Sequence, residues 1–269
     1  MAWRSTWKAT LELQWSASTN NSVRNYDKNG ITASGPATGG HGPVVTVSGN
    51  TVIGLGATTV TAQNGIQIGY GASGSVQNNY VVDDIYINPP GCTTCYGSSG
   101  ILIYASAGVT VSGNTVESTQ YGIVPVTDPA NGGPADRTLI VGNHVGGTQT
   151  YDAIDVCSDN NGVQKNVIYG SSEAGVHLDD SCPPSTGSHN TVVGNTINEA
   201  CAAVLQGPLS TSNLIPLSGI NKNTLLNVNN TVLADSDTCT PTLAPDASAT
   251  MSGTSARHLR PSPLKPTRN

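Results

Sequence analysis

The sequence predicts an all-β solenoid, a coil of short parallel strands stacked in one direction, and three observations predict it. One motif recurs six times: Asn29-Gly30-Ile31, Asn64-Gly65-Ile66, Ser99-Gly100-Ile101, Tyr121-Gly122-Ile123, Asp152-Ala153-Ile154 and Ala174-Gly175-Val176. A second motif interleaves with it, Val-Ser-Gly-Asn-Thr-Val from Val47 and again from Val111, with variants starting at Val76, Ile140, Val163 and Val192. Finally, the chain holds 31 glycines, no Phe and only 10% charged residues, a composition of strands and tight turns rather than helices. Internal repetition of this kind means stacked units that share one core, because a single repeat cannot bury its own apolar face.

Residues 1–24 precede the first clear repeat and read as an irregular cap or the end of a fragment. Met1 to Trp15 lacks the apolar stretch of a secretory signal, and no run of about 18 apolar residues exists to span a membrane. The repeat region, 25–235, reads as one domain. Its motif glycines, with Ala153 standing for one of them, are spaced by 35, 35, 22, 31 and 22 residues. A bare rung is therefore 22 residues, and the longer intervals carry inserted loops, chiefly Asp83 to Ser98 and Thr127 to Arg137.

Within each motif the first and third residues after the glycine are apolar, as in Ile66/Ile68, Ile101/Ile103, Ile154/Val156 and Val176/Leu178. Period-two alternation points these residues inward. The column Asn50, Asn79, Asn114, Asn143, Asn166, Asn195 and Asn223 is expected to turn the chain in the left-handed conformation and to stack its amides from rung to rung.

Residues 236–269 form a C-terminal extension, expected to be disordered at least from 254. Four of the eleven cations, Arg257, Arg260, Lys265 and Arg268, lie in its last thirteen residues with no acidic partner, which leaves seven cations against 17 acidic residues in the rest of the chain. Such an acidic body argues against nucleic acid as a partner. The six cysteines suggest disulfides and hence an oxidising compartment, secreted, periplasmic or at the cell surface. Cys92 and Cys95 read as a local bridge. Cys157 and Cys182 fall on consecutive rungs about 4.8 Å apart and can pair, with Cys201 as a rival for Cys182.

The alternation also turns the second and fourth residues outward. The second column reads Thr32, Gln67, Leu102, Val124, Asp155, His177, and the fourth ends in Cys157 and Asp179. An otherwise bland face thus acquires Asp155, His177 and Asp179, with Asp180 adjacent and Asp152 and Glu173 at the strand starts. Carboxylates this close separate each other's proton affinities into an acid and a base. The same residues would also serve as a solvated polar face. Tyr70, Tyr104 and Tyr121 cluster around the first insertion, where a sugar ring could stack. His177, Lys165 and Arg137 are the available bases and charge neutralisers, Asp179 and Asp180 the available Ca²⁺ ligands. Asp83-Asp84 opens the first insertion as a solvated pair that could hold a cation.

These repeats resemble the right-handed parallel β-helix superfold, which includes pectate lyases, polygalacturonases and alginate and chondroitin lyases. The resemblance covers roughly Asn25 to Leu233 and implies a single-stranded right-handed parallel β-helix of about eight coils. Tyr151 to Val156 looks like the polygalacturonase segment Asn-Thr-Asp-Gly-Ile-Asp-Val, which implies a catalytic role for Asp152. The family's Asp-Asp pair on the next rung corresponds to Glu173-Ala174, and its Gly-His-Gly and Arg-Ile-Lys segments have no match here. The reading is a glycoside hydrolase or polysaccharide lyase, or else a non-catalytic glycan-binding or structural surface protein. As an enzyme it would use Asp155, His177, Asp179, Asp152 and Glu173 for catalysis, Tyr104, Tyr121, Tyr70 and Lys165 for substrate, and Asp179 and Asp180 for Ca²⁺, the one cofactor suggested. The expected partner is a polysaccharide or oligosaccharide, with no nucleic acid and no membrane, and the protein is expected to be a monomer.

Overall fold

The structure, a computed structural model, describes residues 15–36, 41–90, 96–147, 151–234 and 260–261. Cys92, Cys95 and Cys239 lie outside the described residues, and with them the expected local bridge. Of the C-terminal extension only Arg260–Pro261 is described beyond Ala234, as a short strand parallel to Tyr96–Gly97.

Apolar residues repeating every second position force each short strand to show one face to a shared interior, and the observed registers follow that rule. Ile31, Ile66, Ile101, Ile123, Ile154, Val176, Val204 and Val232 stand in one column of parallel strands. A second column runs Val47, Val76, Val111, Ile140, Val163, Val192. A third runs Val23, Val52, Val81, Val116, Val145, Ile168, Ile197, Leu225. The first and third columns share a 14-stranded sheet, and the second lies in a 7-stranded one, counted among the described residues. The columns meet in one continuous core in which nearly every member is closed to solvent. Every motif alignment read from the sequence is thus a register pair, and the chain is a parallel β-helix. Regular strands are already present at Trp15–Thr19 and Ser22–Arg24, each paired to the next rung.

The asparagine column is a hydrogen-bonded ladder. Asn143 Oδ1 accepts from both the backbone N–H and the side-chain amide of Asn114, each at 2.9 Å. Asn143 in turn donates from the same two groups to Asn166. The pattern repeats from Asn21 to Asn223. The left-handed residue, however, is not the ladder asparagine but the one before it: Gly49, Asn78, Gly113, Gly142, Lys165 and Gly194 all have φ between 54° and 67°. The ladder asparagine is reserved for bonding, so its neighbour makes the turn. A second ladder at another corner, Thr138 to Asn161 to Asn190 to Asn213, was not read from the sequence.

The outward face of the Gly-Ile strands is not solvated. Leu102, Val124, Tyr104, Val126, Tyr70, Tyr121, Tyr151, Cys157 and Cys182 form a second buried layer outside the main core. The insertion after Val126 folds back over it: Tyr104 donates its hydroxyl proton to Asp128, and Gly132 packs on Tyr70 and Ala105. This second layer is where the candidate site lies.

Candidate functional site

Asp155 pairs with His177, and His177 with Leu205, across three adjacent strands of the outward column. Asp152 stands three residues before Asp155, level with Tyr121 on one side and Ala174 on the other. Its carboxylate spans the gap between rungs, accepting Ala174 N–H at 3.0 Å with Oδ1 and lying 3.1 Å from His177 Nδ1 with Oδ2. Asp155 Oδ1 lies 3.9 Å from the same ring nitrogen. One ligand-type atom from each of Asp152, Asp155 and His177 lies within 4.8 Å of the others. The expected polar face is therefore a cluster sealed at 2%, 4% and 1% exposure, not a solvated surface.

Burial decides the electrostatics. Desolvation alone would push the His177 pKa down, but the Asp152 carboxylate, with Asp179 and Asp155 behind it, more than offsets that, and the net shift is well above the ordinary imidazole value. The shift favours the protonated ring, with Nδ1–H donating to the Asp152 carboxylate. Tyr121 is held protonated far above its usual range by burial and then by Asp155 and Asp152. Its ring stacks on Tyr151, with centroids 4.8 Å apart and planes 15° from parallel.

The remaining candidates divide. Glu173 is half-buried and close enough to act on Tyr121 and on Tyr151, whose pKa burial and Glu173 push up to about 12. Asp179 acts on His177 electrostatically, yet its carboxylate accepts the backbone N–H and hydroxyl of Ser181 at 2.8 and 2.6 Å. Asp180 turns to the Leu209 N–H at 2.8 Å. The two aspartates expected to share a Ca²⁺ thus serve separate turns, whereas Ca²⁺ takes six to eight oxygens. A divalent ion of the kind that accepts imidazole would find mixed N/O donors at Asp152, Asp155 and His177. Asp179 also lies near Cys157 and Cys182, but those sulfurs are bonded to each other and offer no thiolate.

Tyr70, Tyr104 and Tyr121 are buried at 3–4% exposure, with Tyr70 and Tyr104 packed edge to face at 5.3 Å, so no ring face lies open for a sugar. Lys165 stands apart, exposed at the asparagine-ladder corner with φ 54°. Its place in the turn motif carries it away from the Gly-Ile strand. Asp84 is not a solvated loop residue either. It is fully buried and accepts the Tyr26 hydroxyl, and burial raises its pKa well above the carboxylate range.

The disulfide joins the expected pair. Cys157 and Cys182 are bonded with Cα atoms 5.6 Å apart, and the rival Cys201 is disulfide-bonded elsewhere. The bridge ties the strand end after Asp155 to the turn after Asp179 and Asp180. Tyr151 was missed as a member of the site. Its only signal was its position immediately before Asp152.

A family model described as right-handed beta helix region matches residues 14–213. No curated protein and no solved structure matches the chain.

Proposed function

The chain belongs to the right-handed β-helix family, and from that premise we propose that it is a carbohydrate-active enzyme, a glycoside hydrolase or polysaccharide lyase, acting on a polysaccharide at the outer face of the coil. One observation carries the reading. The buried outward column runs Leu102, Val124, Asp155, His177, Leu205, so two ionisable residues stand where the rungs on either side fill the same layer with apolar side chains. Burying charge costs several kcal/mol per ion unless the geometry compensates, and leucine or valine would serve the fold at lower cost. Strongly shifted groups of this kind concentrate at functional sites.

The proton inventory favours hydrolysis. A protonated His177 can protonate a departing glycosidic oxygen, Asp155 is the carboxylate beside it that would assist attack at the sugar, and Asp152 holds the ring. Elimination would need a base where His177 already carries its proton. The atoms of Asp152 and Asp155 lie within 4.8 Å, short of the roughly 6.5–9.5 Å that admits water between an inverting pair. Entry of a sugar requires the groups that close the site to move, since its members are 1–4% exposed.

That closure is also what favours the second reading, a β-helix that binds or displays rather than cleaves. A panel of polysaccharides, with and without chelator, decides between them. New reducing ends, lost in Asp155→Asn and His177→Gln, support hydrolysis. An unsaturated product absorbing in the ultraviolet supports elimination. Binding without either product removes the enzyme.

A further inference from the structure

A groove of about 420 Å³ opens on the 7-stranded sheet, around the corner from the acid cluster but on the same rungs. Its lining includes Arg137, Asn160, Gln164, His189 and Thr191. Arg137, Asn160 and His189 occupy equivalent left-handed turn positions on successive rungs, with φ 59°, 60° and 58°, so their side chains stand in one exposed file along the coil. The second asparagine ladder beneath them fixes their spacing. Gly162 keeps the floor open: a Cβ there would come 2.9 Å from Gln164 Nε2 and 3.1 Å from Leu139 Cδ1.

Four of the side chains in this groove keep their donors unspent. Among the described residues the side chains of Arg137, Gln164, His189 and Thr191 make no hydrogen bond or ion pair, and no carboxylate lines the groove. The nearest acids accept backbone N–H groups, and Asp136 also faces the Asn160 amide and the charge of Arg137. Asp159 accepts Thr186 and Ser188 N–H at 3.1 and 2.8 Å, and Asp136 accepts Asp159 N–H at 3.2 Å. Lys165 adds a second cation just beyond the Gln164 end. An acidic protein thus presents a trough of donors lined by one cation, Arg137, with Asp136 at its edge and Lys165 just beyond.

We propose that this groove is a binding subsite for an anionic glycan, its oxyanion groups received by Arg137 with help from Gln164 and His189. The oxyanion follows from charge complementarity, since a planar guanidinium with free donors matches a carboxylate or sulfate. That the bearer is a glycan rests on the function proposed above. Turnover is not required, so the two ideas fail separately.

Retention of the intact protein by polygalacturonate, dextran sulfate and unsubstituted dextran, in affinity electrophoresis at low salt, tests it. Retention by either polyanion but not by dextran is expected, and the two polyanions distinguish carboxylate from sulfate. Arg137→Asn, which suits the left-handed turn, should weaken retention about tenfold with an unchanged melting temperature, and Lys222→Asn, an exposed cation elsewhere, should leave it within twofold. Equal retention by dextran, no retention at all, an unchanged Arg137→Asn variant, or equal loss in Lys222→Asn would each overturn the subsite. Cleavage by Asp155→Asn, measured separately, reports on the other site alone.

Discussion

Asp152 grips the next rung twice, its Oδ1 accepting the Ala174 N–H at 3.0 Å and its Oδ2 the His177 Nδ1–H at 3.1 Å. A single carboxylate therefore sets both the backbone register and the imidazole orientation in the buried outer layer. Asp152→Asn keeps the shape but removes the charge that holds His177 protonated. Loss of one partner of a buried pair costs about 3–5 kcal/mol, which denaturant unfolding should show, and the His177 pKa should fall in an NMR titration. Stability within about 0.5 kcal/mol of the parent would mean the pair is idle.

Stability should decline as pH rises through neutrality. His177 has a raised folded pKa, so its contribution is complete below the unfolded value of about 6.5 and is lost as pH climbs through the folded value. Asp84 acts in the same direction. Folded, it keeps a proton that the unfolded chain releases near pH 4, so its contribution also falls as pH rises from there. Lys28 opposes both at alkaline pH, because burial lowers its pKa to about 8 and the folded chain sheds that proton before the unfolded one. Melting temperatures across pH 4 to 9 should peak in mild acid, and His177→Gln should flatten the slope around neutrality. A maximum above pH 8 would contradict these signs.

Removing the Cys157–Cys182 bridge frees a loop of 25 residues that contains His177 and Asp179 and begins two residues after Asp155. A closed loop of this size is worth about 3 kcal/mol in the chain-entropy account. The double Cys→Ser protein should lose roughly that, with faster amide exchange between Asp152 and Asp180 well before the Ile and Val columns open. Uniform loosening of the whole coil would show that the bridge serves the solenoid rather than this face.

Asn143→Ala should cost about 2–3 kcal/mol, since it strands the Asn114 N–H and amide together with the Val111 carbonyl inside the ladder. Lys165→Gly, in the neighbouring rung's turn, is exposed and left-handed, and should be neutral or slightly stabilising. Comparable losses at both positions would place the turn's stability in its backbone conformation rather than in the ladder.

How far the sequence reached can be read from particular residues. The alignment of Ile66 with Ile101 and Ile123, the stacking of Asn114 on Asn143 and the pairing of Cys157 with Cys182 were all legible in it. Each follows from a strand period of two and a repeat that returns the chain to the same column, and both are properties of local sequence. The nearness of Asp155 to His177 was legible for the same reason.

What only the tertiary structure decided is where water is. Asp155, His177 and Tyr104 were placed on the correct side of their strands but taken to be exposed. Their burial comes from segments that cross rungs, such as the Thr127 to Arg137 insertion bringing Asp128 to Tyr104, and no periodicity announces how an insertion folds. Asp84 shows the same limit, bonded to Tyr26 across 58 residues and sealed where a solvated loop was expected. The sequence by itself determined the coil, because repetition is translational and each rung repeats the last. The raised proton affinity of His177, the reach of Asp152 to it and the open groove at Arg137 depend on which irregular segments close over the coil and which leave it bare. That is settled by packing among residues far apart in the chain.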